Sequence, residues 1–512
     1  MLFTALASTL PSADNSRMTI ATLLFAAFAF ALGLCTGSFL NVAIWRLPYR
    51  GQAVTYAGRT GKLSLHWPPS HCPQCNQPIA FYHNVPVLGW FILRGRCARC
   101  KTPIAVRYPL VELGTGVCFA ALYLAYAVGG WHGGTLADIR QAWPVLALQW
   151  IFTASLLAAA GTDADWYIIP LEIPIMLVAL ALAWCIVKRP GLPMAAATGV
   201  WAKAAIGGAV GLLLAGLLLH LGVLPRSFPE EADADESPET AATGAGKPLA
   251  EPHAAAATNP TPQDAAVEPP PGPPGFARQR LSLMAVLAII LILAILWALA
   301  PWRAATVLSL AGGILIFFIG ILPRNADAAD VTAEVEEEIA APHARREILK
   351  ELLFLAVPAL AAVVAALLPW HLPAGFVYAR IAGALAGALV AGALVWLVRI
   401  FGTLAFGRQA MGLGDVHFMA AVGAVVGGPL AVVAFFMAPF VALLWALVLK
   451  IMKKPNVLPF GPWLAVASIL VMLIGPPIVR IYEGYLLGTR NSRVGNHSKG
   501  LIHHGYVWPG EH

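Results

Sequence analysis

Two aspartates sit at the ends of long apolar runs, where a carboxylate is costly unless it faces protein or water. Asp163 closes the stretch Ala160-Gly161-Thr162-Asp163-Ala164-Asp165, and Asp415 ends the turn Gly412-Leu413-Gly414-Asp415 between two further apolar segments. A pair of carboxyl groups can hydrolyse a peptide bond when one is ionised and the other protonated. The ionised group takes a proton from water, and the protonated group donates to the carbonyl oxygen. Like charges held close cannot both ionise, so such a pair shares one proton and titrates as a unit. The pattern therefore points to a membrane-embedded aspartyl protease. Asp165 and Glu172 are rivals for the first carboxylate. Gly412 and Gly414 let backbone approach backbone, or a substrate strand approach the attacking water. A proton- or cation-coupled transporter with two intramembrane acids is the competing reading.

Four of the seven cysteines form a second constellation, Cys72-Pro73-Gln74-Cys75 and Cys97-Ala98-Arg99-Cys100. Two CxxC pairs about twenty residues apart form a strong tetrahedral zinc pattern. Four thiolates leave no open coordination position, so the metal is expected to be structural. A reducing cytosol disfavours disulfides as the alternative. Cys35, Cys118 and Cys185 lie singly in apolar runs and read as buried small hydrophobes.

Something must hold these groups at a membrane. The chain has 512 residues, 59% of them hydrophobic and 12% charged, with a mean hydropathy of +0.73. This composition lies outside the range of soluble globular domains and indicates an all-α polytopic membrane protein in a lipid bilayer. Windows of roughly 20 apolar residues fall at about 19–43, 109–129, 143–163, 168–188, 202–224, 281–300, 304–322, 349–369, 376–405, 429–450 and 459–482. With a shorter Gly-rich run at 416–427, about twelve segments are expected. Residues 46–108 carry many Arg and Lys and no Asp or Glu. That bias marks a cytosolic loop and sets the orientation. Counting spans from an external N-terminus then brings Asp163 and Asp415 to the same, cytosolic, membrane face. The net charge of +7 has no aromatic-interleaved basic motif with it, so a nucleic-acid partner is not expected.

The expected organisation follows. Residues 1–18 form an external tail without a cleaved signal peptide, 19–45 the first span, and 46–108 a small zinc-binding loop domain. Residues 109–190 carry spans with Asp163, and 376–482 carry spans with the Gly-x-Gly-Asp turn. Between them, 191–375 is an insertion with extra helices and two non-core stretches. The first, 226–280, is acidic and then Ala/Pro/Thr-rich, and reads as a disordered linker. The second, 323–348, reads as a solvated helix. Residues 483–512 are a tail. No internal repeat stands out.

Taken together, the motifs resemble those of the type IV prepilin leader peptidases, bifunctional membrane enzymes that also act as N-methyltransferases. Gly37-Ser38-Phe39-Leu40-Asn41-Val42 is followed in family order by Arg46-Leu47-Pro48, the two CxxC pairs and Arg107-Tyr108-Pro109-Leu110-Val111-Glu112. Asp163-Ala164-Asp165 with Ile169-Pro170 comes next, then Gly412-Leu413-Gly414-Asp415 and Pro459-Phe460-Gly461-Pro462. The likeness covers about 20–190 and 376–482 and leaves out 191–375. It implies that Asp163 and Asp415 are catalytic and that Asp165 is supporting. The implied reaction removes short basic leaders from prepilins and pseudopilins after a glycine, at the cytosolic face of the bacterial inner membrane. It also implies methylation of the new N-terminus with S-adenosylmethionine as donor, using the zinc loop. Two positions depart from the family pattern. Leu171 follows Pro170 where Asp is usual, with Glu172 next, and His417 stands where Lys is usual. Glu172 is a candidate to receive the leader's positive charge.

Overall fold

Lipid offers the backbone no hydrogen-bond partners, so apolar runs of this length satisfy their amides internally, as helices. The computed structural model describes residues 20–56, 59–127, 139–186, 197–227, 302–321, 344–370, 375–407, 409–451 and 459–473. Its helices are α1 (Ile20–Arg46), α2 (Leu88–Ile92), α3 (Arg107–Ala127), α4 (Ile139–Trp166), α5 (Glu172–Ile186) and α6 (Gly199–His220). They continue with α7 (Trp302–Ile321), α8 (Ala344–Leu367), α9 (Phe376–Phe406), α10 (Leu413–Val426), α11 (Gly428–Ile451) and α12 (Gly461–Leu473). The chain is an all-α, multi-pass membrane protein, with a single small hairpin among the described residues.

The count of about twelve spans is corrected. Among the described residues, seven helices are long and apolar enough to cross a membrane: α1, α3, α4, α6, α8, α9 and α11. Shorter apolar helical stretches are α5 (15 residues), α10 (14 residues), α12 and Ser309–Gly320 within α7. The reason is local. Tyr167 turns left-handed (φ 54°) after α4, and α5 starts only at Glu172; α10 stops at Gly427 (φ 87°), directly before α11. The expected windows also break at these two places, but the helices that form beside them, α5 and α10, are too short to count as spans. The expected segment 281–300, both tails, most of the linker 226–280 and most of 323–348 lie outside the described residues.

Small residues set the closest packing. A Cβ on Gly33 or Gly37 of α1 would lie 2.7 Å from Gly116 Cα or 2.6 Å from Glu112 Cα of α3, so these backbones touch. Likewise α9 and α10 meet where Gly387 and Gly423 face each other's carbonyls. The helices of 191–375 are not set apart: α7 packs on α3, and α8 packs on α6 and α9. One buried cluster, including Ile44, Phe152, Leu157, Phe317, Phe418 and Leu464, runs through both ends of the chain.

Between α1 and α3 lies the loop domain. Strands β1 (Ala53–Tyr56) and β2 (Arg59–Lys62) pair antiparallel, with Val54 opposite Gly61. Buried Arg46, at the end of α1, donates to the carbonyls of Ser64 (3.0 Å) and Leu65 (3.3 Å) and ties the loop to the helix. On the far side, the Val87 amide donates to the buried carboxylate of Glu112 at 2.6 Å.

Candidate active site and metal centre

Asp163 lies three residues before the end of α4 and is 8% exposed. The main-chain amide of Gly461, at the start of α12, donates to its Oδ2 at 2.9 Å. Asp415 occupies the first turn of α10, whose N-cap is Gly412. Its carboxylate accepts the Gly412 amide, the reciprocal half of a capping box. Gly414 rests on the turn that leaves α4, where a Cβ would meet Ile169 Cβ at 3.3 Å. That contact seats the beginning of α10 beside the end of α4. Asp163 and Asp415 are within electrostatic reach of each other. Two carboxyl groups within electrostatic reach are candidates for a shared acid and base role.

The other sequence candidates are engaged differently. Asp165 is held by Arg107 in a two-armed ion pair, one arm being Nη1 to Oδ1 at 2.8 Å and the other Nη2 to Oδ2. Arg107 is the first residue of α3, directly after the loop domain, so this pair fastens the loop's exit to the helix of Asp163. Glu172 faces Arg50 at 3.6 Å, and both side chains are about half exposed (49% and 56%). His417 is half-buried on α10.

The sequence reading did not foresee several of these contacts. Gly461 was noticed as part of a motif, without its hydrogen bond. The Arg107 partner of Asp165, the Glu112 anchor of Val87 and the charged residues Glu351 and Arg399 were not singled out. The signal for the last two was present, since a charge inside an apolar run is costly and therefore purposeful.

The four knuckle cysteines come together. Their ligand atoms all lie within 4.8 Å of one another, and Cys72 Sγ is 3.7 Å from Cys100 Sγ. A tetrahedral zinc with bonds of about 2.3 Å needs sulfurs about 3.8 Å apart, so the donor set fits that ion in type, number and spacing. The two knuckles also repeat each other's backbone, although no repeat was expected. Cys72 N donates to Gln77 O and Asn76 N to Cys72 O; Cys97 N donates to Thr102 O and Lys101 N to Cys97 O. Asn76 and Lys101 hold matching left-handed turns (φ 52° and 61°), and His71–Pro78 and Arg96–Pro103 form matching bridges. Burial pushes the Cys72 thiol up to about 12. Hydrogen bonds from Thr102 bring exposed Cys100 down to about 6, and amides of Arg99 and Cys100 lower Cys97. Of the remaining cysteines, Cys118 and Cys185 are buried as expected, whereas Cys35 is exposed on α1.

Residues 31–126 match the bacterial peptidase A24 N-terminal domain. The prepilin leader peptidase/N-methyltransferase of Myxococcus xanthus is 41% identical over 163 residues, 31% of this chain and 41% of the relative. Its counterpart from Neisseria gonorrhoeae is 36% identical over 166 residues, 30% of this chain and 53% of the relative. Over these stretches the chain is similar to prepilin leader peptidase/N-methyltransferases. A further family relative, from Klebsiella pneumoniae, is 37% identical over 155 residues, 30% of this chain and 59% of the relative. The chain spans about half the length of the curated relatives it matches. No solved structure matches it.

Proposed function

We propose that this protein is a membrane aspartic endopeptidase. It removes the basic leader of type IV prepilins or pseudopilins after a glycine, at the cytosolic face of the bacterial inner membrane. The observation that carries the reading is the seating of the start of α10 on the turn that leaves α4, with Gly414 against Ile169, which brings Asp163 and Asp415 within electrostatic reach. The pair takes a proton from water, and the water oxygen attacks the scissile carbonyl carbon. The partner carboxyl protonates the carbonyl oxygen, and collapse of the tetrahedral carbon expels the amine, which takes up a proton. The Gly461 amide orients Asp163 throughout. Arg107 occupies Asp165, which supports the site and does not take part in the proton transfers. The cytosolic placement rests on the basic, acid-free segment 46–108.

Cys72, Cys75, Cys97 and Cys100 hold a structural zinc. Bound, it cross-links the two knuckles of a loop too small to fold on a core alone. The proposal extends to methylation of the newly exposed amine with S-adenosylmethionine as donor, supported by the match of residues 31–126 to the family. Glu172 offers the leader a carboxylate. An exposed pair such as Glu172–Arg50 is worth only ~0–1 kcal/mol, so a cationic leader readily displaces Arg50.

The test is to incubate purified membranes with a prepilin, sequence the product's N-terminus and weigh its methyl group. Asp163→Ala or Asp415→Ala must abolish leader removal while the protein still accumulates in the membrane. Normal cleavage by either variant would overturn the assignment.

A further inference from the structure

Helix α8 belongs to the stretch 191–375, which carries none of the family's motifs, yet it contributes a buried acid to α9. Glu351 is 3% exposed. Its Oε1 accepts Arg399 Nε at 2.9 Å, and its Oε2 accepts the Trp396 indole N–H at 2.8 Å. Both carboxylate oxygens are thus engaged by α9. Arg399 is equally buried, and its Nη1 donates to the carbonyl of Met411, the residue immediately before Gly412. One helical turn further along α9, Thr403 Oγ1 accepts the Ala410 amide at 3.2 Å. The approach to the Gly-x-Gly-Asp turn is therefore hung from α9 at two points. Arg399 is also within electrostatic reach of Asp415.

We propose that Glu351 is a positioning residue: by fixing the Arg399 fork it sets where the Gly412-Leu413-Gly414-Asp415 turn presents its carboxylate, which makes the inserted helix α8 a working part of the site. The geometry of guanidinium explains why. Its donors lie in one rigid plane, so holding Nε on Glu351 also aims Nη1. An unpaired guanidinium in this apolar setting is not tolerated, so the insertion supplies the counter-charge that lets Arg399 hold the Met411 carbonyl. The inference rests on the proposed peptidase activity.

The experiment uses the full chain in detergent or lipid, with a prepilin peptide as substrate, and measures kcat, KM and thermal stability. Arg399→Lys keeps the charge beside Glu351 but loses the second arm. Glu351→Gln keeps the shape but loses the charge. The double variant Glu351→Met with Arg399→Met removes the buried pair together and serves if the single changes fail to accumulate. Misplacing Asp415 by an ångström is expected to lower kcat roughly ten- to hundred-fold with little change in KM, and the double variant should regain stability without regaining kcat. If Arg399→Lys cleaves within twofold of the parent, or the double variant regains activity along with stability, the pair only holds the fold and the inference is wrong. Failure of the parent protein to cleave any prepilin would instead overturn the peptidase reading itself.

Discussion

Replacing Gly461 by Ala tests the geometry of the carboxylate pair with a single methyl group. The new Cβ would lie 2.6 Å from Asp163 Oδ2 and 3.0 Å from its Cγ. Ordinary contact begins near 3.4 Å, so the carboxylate, or the start of α12, must move by about 0.8 Å (3.4 less 2.6). The 2.9 Å hydrogen bond from the Gly461 amide cannot survive such a move unchanged. Displacement of a reacting group by about 1 Å costs on the order of 10²-fold in rate, equivalent to about 2.7 kcal/mol of transition-state stabilisation. The expected result is a kcat for leader removal near 1% of the parent, with the protein present in the membrane at normal level. Gly216→Ala in α6 is the matched control, because a Cβ there meets nothing within 4 Å and Ala favours the helix. It should cleave at the parental rate. If Gly461→Ala also cleaves at the parental rate, Asp163 is not held by α12 during the reaction and the reasoning fails.

Asp163→Asn and Asp415→Asn should each reduce cleavage by about 10²-fold or more, and the parent's kcat/KM should show a bell-shaped pH profile because the pair works with one proton; a flat profile would count against shared acid–base work. Arg107→Ala leaves Asp165 buried without its cation, which costs about 3–5 kcal/mol, and should lower membrane accumulation, with Arg107→Met and Asp165→Leu together restoring much of it. Metal-free protein should bind zinc with affinity that rises with pH. At pH 7 the Cys72 thiol, near 12, still carries its proton and gives it up on loading, whereas Cys100, near 6, is already largely thiolate. Titration calorimetry in buffers of different ionisation enthalpy measures that release, and loading without proton release would contradict the four-thiolate site.

The chemistry was more legible in the sequence than the architecture. The CxxC spacing specifies four converging thiols because each knuckle is a local turn, complete within about ten residues of chain. Asp163 and Asp415 stood out for another reason: carboxylates beside apolar runs are costly and so draw attention as candidate site residues. Span counting failed on length: the breaks at Tyr167 and Gly427 fall between expected windows, but α5 and α10 beside them are shorter than a span. Partner choice was the least legible. Asp165 finds Arg107, Glu351 finds Arg399 and Asp163 finds the Gly461 amide across 58, 48 and 298 positions of chain. Such pairings are decided by helix packing, and one sequence carries no trace of them. The knuckle repeat escaped notice because it lives in hydrogen bonds and positive φ values, with only Cys-x-x-Cys-x-x-Pro-Ile common to both copies.

On the proposed peptidase reading, the charges around the site explain why Asp163 and Asp415 serve as acid and base while their neighbours do not. Arg107 is bound through both arms to Asp165, and Arg399 is bound to Glu351. Each cation therefore has its own carboxylate, close and buried. Were Arg107 free to turn to Asp163, it would hold that group as a permanent anion and leave no acid to protonate a substrate carbonyl. Asp165 claims the guanidinium instead, which fits the supporting role proposed for it. Glu351 does the same for Arg399 beside Asp415, with the difference that Arg399 still uses its remaining arm on the Met411 carbonyl. Asp163 and Asp415 are left within electrostatic reach of each other, with main-chain amides of Gly461 and Gly412 as neutral donors. A carboxyl pair oriented by amides can pass a proton between acid and base roles, and a pair clamped by guanidinium groups cannot. Releasing either arginine by Asp165→Asn or Glu351→Gln should accordingly damage the acid function more than substrate binding, a fall in kcat at nearly constant KM.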